Sequence, residues 1–161
     1  MDLRELYDAH AQALYAFVLH LSRSEADTRD ILQDLFCRLA REPWAVEPRN
    51  PRAYLLQCAY RLFLDLCRKR AVREDFAAEN EPIFQPPESP DEQHFRSALE
   101  DALAQLPAEQ QAVVHLKLWQ GLTFEEIATA LGLSANTAAS RYRYGLEKLR
   151  TLLRPIYEEI Q

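Results

Sequence analysis

Apolar residues along the chain recur every three or four positions rather than every second one, the spacing of helices that bury one face. Leu3, Leu6, Tyr7, His10, Leu14, Phe17, Val18 and Leu21 predict a first helix over about 3–21, with these residues inward. Ser24 is a suitable N-cap for a second, with Glu25 and Asp27 in its first turn; it buries Ile31, Leu32, Leu35, Phe36 and Leu39 and stops at Pro43. The stretch 42–51 carries three prolines and reads as a loop. A third helix runs from about Arg52 to Arg70 on a stripe of Leu55, Ala59, Leu62 and Leu66, flanked by Leu56 and Phe63. After residue 94 the same spacing predicts four more helices, at about 95–106, 108–119, 123–131 and 134–153. Three glycines and no alternating run with hairpin chemistry leave nothing for a sheet. The expected fold is all-α: two small helical bundles joined by a linker.

Between the bundles, residues 74–94 hold Pro82, Pro86, Pro87 and Pro90 with many carboxylates and little apolar periodicity, the composition of a flexible acidic tether. The expected division is therefore 1–73, a linker over 74–95, and 96–161. The net charge of −6 argues at first against a phosphate-bearing partner, but it averages unlike segments. Residues 42–73 carry seven Lys and Arg against three carboxylates, whereas 74–106 carry nine carboxylates against one Arg. A basic face on the third helix survives the average.

No apolar run reaches the roughly 20 residues needed to cross a bilayer, and the N-terminus lacks a signal peptide's layout, so a cytoplasmic protein without membrane insertion is expected. Cys37, Cys58 and Cys67 sit in helical patterns among apolar neighbours and read as buried, reduced thiols; His10, His20, His94 and His115 are scattered. No metal and no cofactor are expected. No phosphate-binding glycine loop or nucleophile–base pairing points to an enzyme.

The strongest local signal is Gly121 to Arg141. Thr123 and Glu126 form a capping box, Ile127, Ala128 and Leu131 are a buried face, Gly132 takes a turn position, Leu133 plugs the core and Ser134 caps the next helix. This is a helix-turn-helix, whose second helix enters the major groove. Ala138, Tyr142, Leu146, Leu149 and Leu153 are its inward residues; Asn136, Thr137, Ser140, Arg141 and Tyr144 face outward to phosphates and base edges. In the first bundle Asp30, Gln33 and Asp34 lie at i, i+3 and i+4, an exposed stripe suited to a basic partner surface. Tyr54, Gln57, Arg61 and Arg68 line the polar side of the third helix, and Lys69, Arg70 and Arg73 extend its charge, a pattern suited to unstacked single-stranded bases.

These motifs resemble, in order and over nearly the whole chain, the extracytoplasmic-function sigma factors of the sigma-70 family, which keep only regions 2 and 4. Residues 30–39 resemble the helix that docks on the polymerase clamp; 50–56, continuing through 65–70, resemble the segment that opens and reads the minus-ten element. Residues 106–111 with the helix-turn-helix resemble the minus-thirty-five reader. The resemblance implies core RNA polymerase, promoter DNA and an anti-sigma factor as partners. It implies polymerase contacts at Asp30, Gln33, Asp34 and Arg38, minus-ten contacts at Trp44, Tyr54, Gln57, Arg61, Arg68, Lys69 and Arg70, and minus-thirty-five contacts at Thr123, Asn136, Thr137, Ser140, Arg141 and Tyr144. Two roles stay open for Trp44: a pocket for a flipped base, or bundle packing. The linker is implied to thread toward the RNA exit path.

The chain departs from the family at Arg61, where an asparagine is usual, at Ala138 and Ala139, where valine and lysine are common, and at Tyr144 and Gly145, which interrupt an often Arg-rich stretch. Weak DNA grip by the second bundle alone is expected, with Gly145 a cost to its helix. The competing readings are a sigma-like decoy or adaptor for an anti-sigma factor, and a helix-turn-helix regulator independent of polymerase.

Overall fold

The computed structural model describes residues 2–73 and 90–160. Its elements are α1 (Leu3–Ser22), α2 (Glu25–Arg41), α3 (Pro51–Arg73), α4 (Pro90–Gln105), α5 (Ala108–Leu118), α6 (Phe124–Leu131) and α7 (Ala135–Ile160), with no strand among the described residues. Helix starts follow the side chains that satisfy their free N–H groups. Asp2 accepts from Glu5 N and opens α1 in a capping box, Ser24 accepts from Asp27 N at α2, and Asn50 accepts from Ala53 N at α3. Two helix ends differ from the periodicity. Helix α4 begins at Pro90, whose fixed φ suits a first helical position. Helix α7 continues through Pro155 to Ile160.

At α6 the capping box is complete: Thr123 Oγ1 accepts from Glu126 N at 3.2 Å and the Thr123 N–H donates to Glu126 Oε1 at 3.0 Å. These hydrogen bonds hold the Glu126 carboxyl below its ordinary value. Thr123→Ala should cost about 1 kcal/mol in a urea melt. Because Glu126 is depressed in the fold, its contribution is present above the ordinary carboxylate range and lost as pH falls through it. Alanine keeps the backbone N–H that this carboxylate accepts from and loses only the share of the Thr123 hydroxyl, so the deficit of the variant should shrink only slightly in acid.

The two bundles are not separate bodies. Leu14, Phe17 and Val18 of α1 and Leu55, Leu56 and Ala59 of α3 belong to the same continuous core as Val113 and Leu116 of α5, Ile127 and Ala130 of α6, and Ala138 of α7. Helix α1 lies on α5 and α3 lies on α6. A smaller cluster, Ala102, Leu103, Leu106, Val114 and Leu149, holds α4, α5 and α7 together. Burial of this kind stabilises by about 25 cal/mol per Å² of apolar surface removed from water, so the seam is held by the same force as each bundle.

Several sequence expectations change here. Leu3 and Tyr7 are exposed, lying beside Phe36 and Ala40 of α2 in a groove open to solvent. Cys37 and Cys67 are exposed free thiols and only Cys58 is half-buried, since the first two lie on the outer faces of α2 and α3. Gly145 is buried, and a Cβ there would sit 2.9 Å from Val114 Cγ2, so α7 crosses α5 at a spacing that only glycine permits. Ala138 is fully buried, as its place among the inward residues of the second helix predicts. The acidic linker lies outside the described residues over 74–89.

Candidate nucleic-acid interface

In α2 the residues of the charged stripe, Asp30, Gln33, Asp34 and Arg38, are all exposed, as i, i+3, i+4 spacing opposite Ile31 and Leu35 requires. Arg38 forms a bidentate pair with Asp34 at 3.0 and 3.2 Å, which orients both heads. Beside the stripe runs an apolar groove of about 710 Å³ lined by Leu3, Tyr7, Phe36 and Gln33, with the Tyr7 and Phe36 rings edge to face at 5.1 Å. The sequence reading missed this groove because it put Leu3 and Tyr7 in the core. The start of α1 lies beside the last turns of α2, and apolar spacing alone gives no sign of whether anything covers that side.

On α3, Arg61, Arg68 and Lys69 are exposed, and Arg68 bonds Asp65 at 3.4 Å. Arg70 differs. It makes a bidentate pair with Asp27, at 2.5 and 2.6 Å, that ties the end of α3 to the start of α2, so its fork is committed to the bundle rather than presented to DNA. Gln57 is also drawn away from the open face: its Nε2 lies 3.6 Å from where a Cβ at Gly132 would stand, against the helix-turn-helix turn. Nothing is described for the side chain of Arg73.

Trp44 and Tyr54 meet edge to face at 5.2 Å and 87°. They line a cavity of about 320 Å³ with Leu35, Leu55, Cys58 and Leu62, and both charges stand at it, Arg38 and Arg61 with Glu42 and Asp65. The buried indole N–H of Trp44 has no acceptor among the described residues. Trp44 therefore both packs the loop onto α3 and faces a cavity with an aromatic wall, the kind of surface on which a base can stack. The structure brings Arg38 of the stripe and Arg61 of the third helix to this one cavity. Burial pushes the Cys58 thiol up, which makes it a poor nucleophile.

The helix-turn-helix has the expected geometry. Gly132 is left-handed at φ 71°, and its N–H and that of Leu133 both return to Ala128 O. Ser134 Oγ accepts from Thr137 N at 3.1 Å and donates to Thr137 Oγ1 at 2.9 Å, so the Thr123 hydroxyl serves first as a cap and the Thr137 hydroxyl is taken up by the Ser134 cap. Asn136 and Tyr144 are exposed. Arg143, which the sequence reading passed over, stacks its guanidinium over the Tyr144 ring at 5.6 Å. Ser140 and Arg141 are half-buried, and Arg141 acts electrostatically on Tyr60 of α3 across the seam.

Polar contacts run along the whole seam. Arg52 Nη2 of α3 donates to the carbonyl and Oε1 of Gln120 at 3.2 and 2.9 Å. Gln120 Nε2 donates to Ala13 O of α1 at 2.8 Å. Arg23, held left-handed at φ 56°, donates to Glu100 O of α4 at 3.2 Å and pairs with its carboxylate at 3.6 Å. Among the described residues no group of three or more His, Cys, Asp or Glu is placed to hold a metal ion. No described helix is long and apolar enough to cross a membrane.

Comparison with known proteins agrees with both halves of this geometry. Residues 6–73 match the Sigma-70 region 2 family and residues 96–149 match Sigma-70, region 4. The ECF RNA polymerase sigma factor SigL of Mycobacterium tuberculosis is 31% identical over 159 residues, covering 96% of this chain and 90% of that protein. The ECF RNA polymerase sigma factor SigX of Bacillus subtilis is 28% identical, covering 96% and 85%. Among solved structures, the sigma factor RpoE of Bartonella quintana, in complex with the anti-sigma factor NepR, superposes with a TM-score of 0.76 at 25% identity, over 94% of this chain and 96% of that one. With both regions matched in order and the likeness running the length of the chain, the protein belongs to the extracytoplasmic-function RNA polymerase sigma factors of the sigma-70 family.

Proposed function

We propose that this sigma factor directs core RNA polymerase to promoters without catalytic chemistry of its own, acting in the cytoplasm, and that the arrangement seen here is its closed resting form. Residues 1–73 supply polymerase docking and minus-ten reading, 96–161 supply minus-thirty-five reading, and 74–95 tether them. Asp30, Gln33, Asp34 and Arg38, with the apolar groove of Leu3, Tyr7 and Phe36, form the docking face. Trp44, Tyr54, Arg61, Arg68 and Lys69 hold the minus-ten strand; Asn136, Ser140, Arg141 and Tyr144 meet the upstream duplex.

The continuous core through α1, α3, α5 and α6 carries the closed-form reading. Elements centred about 25 base pairs apart lie roughly 85 Å apart along duplex DNA at about 3.4 Å per pair. Two readers packed on one another do not span that distance. The seam must therefore part when both elements are read together, and polymerase supplies the surface that holds the halves apart. An anti-sigma factor, the kind of partner present in the Bartonella complex, would act by holding the seam shut.

Run-off transcription with core polymerase and the gene's own upstream region tests this. The wild-type chain should yield one discrete start site, and Arg141→Ala should lower its yield about tenfold, the loss of one bidentate base contact. Retained yield would move the upstream contact elsewhere. No transcript from any supplied promoter would favour the decoy reading instead.

A further inference from the structure

At the centre of the seam the imidazole of His115 on α5 faces that of His20 on α1, with their Nδ1 atoms 2.8 Å apart and both rings buried. A network of hydrogen bonds around them settles where the protons lie. Arg52 can only donate, so the Gln120 atom it meets is the amide oxygen; Ala13 O can only accept, so the other amide atom is the nitrogen. That nitrogen also lies 2.9 Å from His115 Nε2, and since it can only donate, Nε2 of His115 accepts. A neutral imidazole with an accepting Nε2 carries its proton on Nδ1. His115 Nδ1–H therefore donates to His20 Nδ1, and His20 bears its proton on Nε2. The chain of donors runs from Arg52 through Gln120 and His115 to His20, crossing between the two bundles at its first and last steps.

In this network both accepting ring nitrogens are occupied by N–H donors. A proton added to His115 at Nε2 meets the Gln120 N–H, and one added to His20 at Nδ1 meets the His115 N–H. Either sets two donors head to head in a buried site. The charged groups acting on the pair are also unfavourable to a further cation: Arg23 at the end of α1 and Arg52 on α3. Glu100 of α4 engages Arg23, and His10 of α1 lines the cleft of about 900 Å³ that opens beside the pair.

We propose that the His20–His115 pair is a proton-sensitive latch between the two bundles, which holds the chain closed while both rings are neutral and releases it when they take up protons. The proposal rests on the closed resting form argued above. Burial, reinforced by Arg23, lowers His20 from 6.5 to about 4; burial, then His20 and Arg52, lower His115 well below its ordinary value. Freed in the open chain, both rings return toward 6.5. The open form thus binds more protons, and the closed form keeps its full stability above about pH 6.5 and loses it as pH falls from there. At pH 5.5 each histidine should shift the open-to-closed ratio about tenfold, or about a hundredfold together.

Single-molecule energy transfer on the full-length chain reads this ratio. Dyes are placed on the exposed Cys37 and on a Tyr157→Cys site, with Cys58→Ser and Cys67→Ser, in urea low enough to leave the far-ultraviolet circular dichroism intact. Between pH 7.5 and 5.5 the open fraction should rise about a hundredfold in the otherwise native chain and stay level in His20→Leu/His115→Leu. A second substitution guards against a double variant that fails to fold. Gln120→Glu places an acceptor against a protonated His115 Nε2–H, so its opening should move to lower pH. A native chain closed at both pH values, or one whose response persists in the double variant, overturns the latch alone. A chain already open at pH 7.5 removes the closed resting form, and the latch with it.

Discussion

Asp34→Arg should reduce co-purification of the chain with core polymerase about a hundredfold while its circular dichroism and urea midpoint stay unchanged. The side chain is exposed on α2 and, among the described residues, pairs with Arg38, one turn further on, so the fold loses a solvated surface pair and nothing from its core. Binding is affected much more strongly. In the proposed docking face a carboxylate meets a basic surface through charge-assisted hydrogen bonds, and its reversal sets like charges together at a cost of several kcal/mol, or roughly two powers of ten. The assay must omit promoter DNA, because Arg38 also rims the Trp44 cavity and would be released by the same change. Asp34→Asn should lose far less. Co-purification unchanged by the reversal would place the docking face elsewhere.

Gly145→Ala should destabilise the second bundle by about 1 kcal/mol, although alanine is the better helix former by about the same amount. The opposing effect is contact. The new Cβ would stand 2.9 Å from Val114 Cγ2, and Val114 is fully buried with a stiff, β-branched side chain that has no other rotamer to adopt cheaply. Overpacking of this kind costs 1–3 kcal/mol and outweighs the gain in propensity. Gly145→Val adds two further methyls and should lose the cooperative unfolding of α4, α5 and α7 altogether. Because α5 and α7 set where the recognition helix stands, the alanine variant should also lose transcription from promoters with strong dependence on the upstream element. A urea melt showing Gly145→Ala more stable than the native chain would mean that α5 and α7 are looser than their contact implies.

The same glycine marks the boundary of what periodicity reveals. Its neighbours Tyr142, Leu146 and Leu149 were legible as an inward face, and Gly145 read only as a weakness in that helix. Its purpose depends on a residue thirty-one positions earlier and so on how two helices cross. Arg70 and Gln57 teach the same lesson on α3. Their place on the polar side follows from a 3.6-residue repeat, but that Arg70 is held by Asp27 and that Gln57 faces the Gly132 turn follows from packing between helices. The exposed Leu3, Tyr7, Cys37 and Cys67 erred the other way, since apolar spacing says which face a residue occupies and not whether anything covers it.

What the amino-acid sequence determined by itself is therefore local. It includes the helices, the capping box at Thr123 and Glu126, the left-handed turn at Gly132, the exposed stripe at Asp30, Gln33 and Asp34, and the order of motifs that names the family. Each depends on residues within a turn or two of one another, where backbone sterics and hydrogen-bond capacity leave few choices. Only the tertiary structure decided that the two bundles close on one core, that a histidine pair ninety-five residues apart in sequence meets at its centre, and that Arg141 is half-buried. Those outcomes depend on which apolar faces find each other, and hydrophobic burial, being non-directional, leaves no mark of its partner in the sequence of either face.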